Sequence, residues 1–174
     1  IRVEYFADSA TAFEAFKVGT YTFRTENSSK TWATGYDFPA LDNGWMVKKE
    51  LPDGRIGAAQ SFVFNLDRPE WQDPRVREAV RLMFNFEWSN QTLFYGLYER
   101  VESFWQNTDL QARGTPSDGE LALLRPLVYE GLLDPAILTA PAVTPPESRP
   151  ERSTDRGNLR RASDLLDDAG WIVG

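Results

Sequence analysis

With no His and no Cys among its 174 residues, this chain has no thiol nucleophile, no imidazole base, no disulfide and none of the commonest zinc sites. What remains for acid–base or metal chemistry is carboxylates. They occur in pairs: Glu99 with Glu102, Asp167 with Asp168, and Glu4 with Asp8. Such pairs could serve a glycosidase or hold a metal ion. Glu99 and Glu102 are spaced to share a face, but nothing beside them orients a substrate. Asp167 and Asp168 fall on the exterior of an ordinary helix, where charge simply solvates. There is no Gly-rich phosphate loop and no Ser in a nucleophile elbow. The expectation is a non-enzyme with no catalytic residues, no metal and no cofactor. A hydrolase built on a carboxylate pair is the alternative.

Bulk properties narrow the class further. The length suits one domain with a real core, or slightly more. Hydrophobic content is 41% and charged content 26%, ordinary for a soluble globular protein. A formal net charge of -7 argues against a nucleic-acid binder, which needs a basic face. No apolar run approaches membrane-spanning length, and Ile1 does not begin a signal peptide. Without an initial Met, the chain reads as an excised piece or a mature fragment. The 6 Trp, 6 Tyr and 11 Phe exceed what this length requires and either fill a core or line a pocket.

The elements that must position any site follow from periodicity. Residues 1–5, 21–25, 45–50 and 60–66 alternate like strands, with Phe62, Phe64 and Leu66 sharing one face. Asp8 or Ser9 can cap a helix that buries Ala12, Phe13 and Phe16 and stops at Gly19. Ser28 or Ser29 can cap a second helix toward Gly35. Pro52-Asp53-Gly54 reads as a turn pairing two strands. Asp73 caps, and Pro74 opens, a helix that turns Val76, Ala79, Val80, Met83 and Phe84 to one side. Asp118 starts a helix with Leu121, Leu124 and Val128 as its apolar face. A Pro-rich loop over about 138–157 holds Pro141, Pro145, Pro146 and Pro150, either as a mobile linker or packed in place. Asn158 caps a last helix, with Leu159, Ala162, Leu166 and Ala169 inward and Gly170 at its end. Alternating strands and helices predict an α/β (α+β) domain, a mixed β-sheet flanked by helices.

The stretch from Gln60 to Gly96 is the most specific. An Asn ending a strand (Asn65), Pro69, Trp71, then Asp73, Arg75-Val76-Arg77 and Ala79 stand in order, followed by Phe86, Glu87 and Gly96. This order resembles the signature segment of the bacterial extracellular solute-binding proteins of family 5, the peptide- and nickel-type receptors of ABC importers. The helix–Gly–strand run Phe13 to Phe23 and the closing helix Ala162 to Trp171 resemble the family's flanking motifs. Trp32-Ala33-Thr34-Gly35-Tyr36-Asp37-Phe38 is similar to the branch that binds oligopeptides and microcin-type conjugates.

That resemblance implies one lobe of a type II periplasmic-binding-protein-like fold, residues 1–174, cut from a longer two-lobed receptor. It lacks the family's N-terminal lobe and the segments expected beyond Trp171. The implied function is periplasmic capture of oligopeptides or peptide-like conjugates, handed to a membrane permease of an ABC importer. No nucleic acid or membrane span is involved. The same fold used as a sensing or interaction module, or a receptor for nickel, haem, sugar or opine, is the alternative. Two places carry the implied ligand contacts. One is the turn Glu26, Asn27 and Ser28 with Trp32 one turn on, where Glu26 would favour a cationic group. The other is Gln60, Phe62 and Phe64. At the first, Asn27 and Ser28 either cap the next helix or meet ligand. At the second, the Phe side chains face either core or cleft. Arg75 and Arg77 are expected to pair with acids or carbonyls rather than ligand.

Overall fold

The computed structural model describes residues 1–51, 54–57 and 60–172. They form two compact units, Ile1–Pro52 with Asn90–Tyr98, and Asp53–Ser89 with Glu99–Gly174.

The described residues are helical and contain no strand, which overturns the α/β expectation of a mixed sheet. Alternation dictates which side chains share a face, but a strand exists only when a second backbone supplies its ladder. Residues 1–5, 21–25, 45–50 and 60–66 find no such partner among the described residues. Their apolar side chains are correspondingly exposed, among them Val3, Phe23, Val47, Phe62 and Val63. The turn expected at Pro52-Asp53-Gly54 lies partly outside the described residues.

In the first unit, α1 (Ser9–Lys17) starts at Asp8, whose carboxylate accepts the Thr11 N–H, and buries Phe13. Gly19 closes it at φ 76, a conformation that glycine adopts without a Cβ penalty. Helix α2 (Ser29–Thr34) is capped by the Ser28 hydroxyl and ends at Gly35. Helix α3 (Pro39–Asp42) is a single turn. Gly35 is a close approach: a Cβ there would stand 2.9 Å from the Thr31 carbonyl and 3.2 Å from the Phe13 ring.

In the second unit, α4 (Pro69–Gln72) leads into α5 (Pro74–Met83), whose N-cap is Asp73. Helix α5 packs on α8 (Arg156–Asp168) around Ala79, Leu82 and Ala162, with Leu165 and Leu166 against them. Val76 is also buried, whereas Met83 and Phe84 are exposed, so the inward stripe runs through Leu82 instead. Arg75 bonds Asp73 and the Asp168 carbonyl, and Arg77 bonds the carbonyls of Trp71 and Gln72. Helix α7 (Asp118–Tyr129) carries a capping box between Ser117 and Glu120. Leu121, Leu124 and Val128 are half-buried there. A 3-10 turn, Pro135–Leu138, packs against it. Helix α6 (Phe86–Leu93) has residues in both units.

The cap of α8 is Asp155, not Asn158: its carboxylate accepts the N–H groups of Gly157 and Asn158. These bonds hold the Asp155 carboxyl below the usual range, with the Asn158 N–H the largest cause. Asn158 is buried and turns its amide to the Glu147 carbonyl and the Ser148 hydroxyl. The Pro-rich segment is thus tied down. Asn85 holds the carbonyls of Arg149 and Arg152, and Glu87 accepts the Ser148 N–H.

Candidate functional site

The first unit builds an aromatic and charged cluster around α2. Phe13 from α1 meets Tyr36 at 5.0 Å and Phe38 at 6.3 Å between ring centroids. Trp32 meets Tyr36 at 5.6 Å. Trp32 lies within α2, and Tyr36 follows the Gly35 C-cap of that helix. Tilted ring pairs at these separations are favourable beyond the area they bury.

Glu26 is the electrostatic centre of this cluster. One carboxylate oxygen accepts the Ser28 N–H at 3.0 Å. The other accepts Arg24 Nε at 3.3 Å, Arg24 Nη2 at 3.2 Å and the Tyr36 hydroxyl at 3.3 Å. The Arg24 and Glu26 side chains retain only 12% and 5% of their exposure. A pair this dry depends on its extra hydrogen bonds to offset desolvation. Arg24 supplies one, donating Nη1 to the Tyr21 hydroxyl, which itself donates to the Ala12 carbonyl. Burial acts to lower the Arg24 pKa, but Tyr21 and Glu26 more than restore it, and the net shift is upward. Tyr36 is held above the usual phenol range, first by burial and then by the Glu26 charge. Glu26 therefore orders the turn through internal partners.

Ser28 is a cap: its hydroxyl accepts the Thr31 N–H at 3.2 Å. Asn27, between Glu26 and Ser28, is exposed. Trp32 is half-buried and carries Lys48 over its ring, with Nζ 4.4 Å from the centroid. The structure thus joins Glu26, Ser28 and Trp32 through Tyr36 and the start of α2. Arg24, Tyr36 and Lys48 were not foreseen as members. Tyr36 is legible only as a member of the Trp32 to Phe38 run, and Lys48, in a segment that alternates like a strand, offers no signal.

Gln60, Phe62 and Phe64 belong to the second unit. Gln60 and Phe62 are exposed. Phe64 is half-buried and meets Trp71 at 4.8 Å. It lines an open depression of about 390 Å³ with Pro74, Arg77, Glu78 and Arg81. Of the acidic pairs, Glu99 and Glu102 line another open depression of about 530 Å³, alongside Arg100, Gln106 and Arg113. Among the described residues no three acidic side chains gather into a group able to hold a metal ion. None of the described helices is long and apolar enough to cross a membrane.

The model of the bacterial extracellular solute-binding proteins, family 5 Middle, matches residues 1–174. An uncharacterized protein of Escherichia coli K12, YejA, is 39% identical over 173 residues, covering 99% of this chain and 28% of that protein. The probable peptide-binding protein YejA of Agrobacterium fabrum is 39% identical over 173 residues, covering 98% of this chain and 28% of its own length. The peptidoglycan-binding protein YepA of the same organism is 35% identical over 185 residues, covering 99% and 29%. The chain thus spans less than a third of the length of the curated relatives it matches.

Proposed function

The chain belongs to the family 5 extracellular solute-binding proteins, and from that premise we propose that it is part of a periplasmic receptor for oligopeptides or peptide-like conjugates, serving an ABC importer. The match across residues 1–174 carries this reading. A relative named for probable peptide binding, 39% identical over 98% of the chain, supports the ligand class. A second relative, named for peptidoglycan binding, keeps peptide conjugates within it.

The role is capture without chemistry. A receptor for varied peptides must satisfy the ligand main chain while tolerating its side chains. Polar groups beside aromatic rings do this. In the first unit that means Asn27 and the face of Trp32, with Glu26 and Ser28 ordering the turn that presents them. In the second it means Gln60, Phe62 and Phe64. Ligand closes two lobes about a hinge, and the closed form docks on the permease.

Calorimetric titration of the full-length protein with defined tri- to pentapeptides tests the reading. Binding is expected, with Trp32→Ala weakening it at least about tenfold, the effect of losing a central aromatic contact. Heat on adding nickel or sugars, and none with peptides, would overturn it.

A further inference from the structure

Lys48 already seats a primary ammonium on the face formed by Trp32 and Tyr36. Its Nζ lies 4.4 Å from the Trp32 ring centroid and 5.6 Å from that of Tyr36, and it donates to the Trp32 carbonyl. The two rings are inclined by 59°, so one cation meets two π faces. Behind Tyr36, its hydroxyl donates at 3.3 Å to Glu26, whose carboxylate is already paired with Arg24. The ring quadrupoles are therefore what favours a cation at this position. Lys48 itself is exposed and stands on a helix-free segment after α3. A flexible, strongly hydrated ammonium on such a segment is an exchangeable occupant.

We propose that the Trp32–Tyr36 face binds a primary ammonium group of the ligand, and that Lys48 occupies it until such a group displaces it. This rests on the peptide-receptor reading above and adds a chemical preference to it. A peptide amino terminus and a lysine side chain share the recognised chemistry. Lys48 also acts as a competitor, lowering the apparent affinity for every ligand that must displace it.

Three peptides separate the sources: Ala-Ala-Ala with a free amino terminus, acetyl-Ala-Lys-Ala, and acetyl-Ala-Ala-Ala. Each is titrated into the full-length protein and its Lys48→Met variant. The amine-bearing peptides should bind about three- to tenfold tighter to the variant, the scale of one cation–π contact. Whichever of the two gains identifies the source. The fully acetylated peptide should not respond. A second measurement needs no variant: n-butylammonium chloride should compete with the amine-bearing peptides on the wild-type protein and not with the acetylated one. Equal response of all three peptides to Lys48→Met, or no competition by butylammonium, would overturn the ammonium site while leaving peptide capture standing. Absence of binding by all three peptides would overturn both.

Discussion

The Asn85 side chain donates to the Arg149 carbonyl at 2.9 Å, joining residues 64 positions apart. Its Nδ2 also donates to the Arg152 carbonyl at 2.8 Å, and its Oδ1 accepts the Trp88 N–H at 2.9 Å. One buried amide therefore caps α6 and pins the end of the Pro-rich segment. Asn85→Ala would leave two part-buried carbonyls without this donor, at roughly 1–3 kcal/mol each, for a total loss of about 2–6 kcal/mol. Asn85→Asp keeps the cap but turns negative oxygen toward both carbonyls, and should cost at least as much. Denaturant midpoints check this, together with faster proteolysis within 138–157 in both variants. Unchanged midpoints and cleavage would show that the segment is held by other contacts.

Glu87 sets a pH dependence. It accepts Arg100 Nε and Nη2 at 3.0 Å each and the Ser148 N–H at 2.9 Å. Burial is the largest influence and works to raise its pKa, but the Arg100 hydrogen bonds and charge, together with the backbone N–H groups of Glu87 and Ser148, outweigh it and hold the carboxyl below its ordinary 4.5. The folded chain thus gives up this proton more readily than the unfolded one. The stability Glu87 contributes is complete above the ordinary value and is lost as pH falls through the depressed one. Glu87→Gln should be less stable than wild type at neutral pH and lose less on acidification below about pH 4.5. Parallel acid limbs for the two proteins would contradict the assignment.

Gly35 tests the packing under the aromatic cluster. A methyl group there meets the Thr31 carbonyl at 2.9 Å, and that atom belongs to the backbone of the preceding turn. The helix cannot yield without moving Trp32 and Tyr36. Gly35→Ala should destabilise by about 1–3 kcal/mol, as overpacking does. A near-ultraviolet circular dichroism change would report the displaced rings. A neutral or stabilising result would mean that α2 can shift freely.

Helix starts were legible because their signals are local. Asp73-Pro74, Ser28 and Asp8 each carry the cap and its first turn within a few residues, and the caps form where the types predict. The expected α8 cap, Asn158, gives way to Asp155 three residues earlier. The Asn158 amide is drawn instead to Glu147 and Ser148, ten or more residues away, which the helix's own sequence does not announce. The sheet failed for a deeper reason. Alternation at Gln60 to Leu66 is a property of one segment, and pairing is a property of two. The Trp32 neighbourhood was half legible: the Arg24–Glu26 pair and Trp32 with Tyr36 are close in sequence, whereas Lys48 arrives from beyond α3.

Native mass spectrometry of the full-length protein, purified gently from its native host, tests peptide capture most directly. A heterogeneous mass increment that fragments into amino acids is expected. Protein without any increment, and without a shift after adding peptide mixtures, would contradict it.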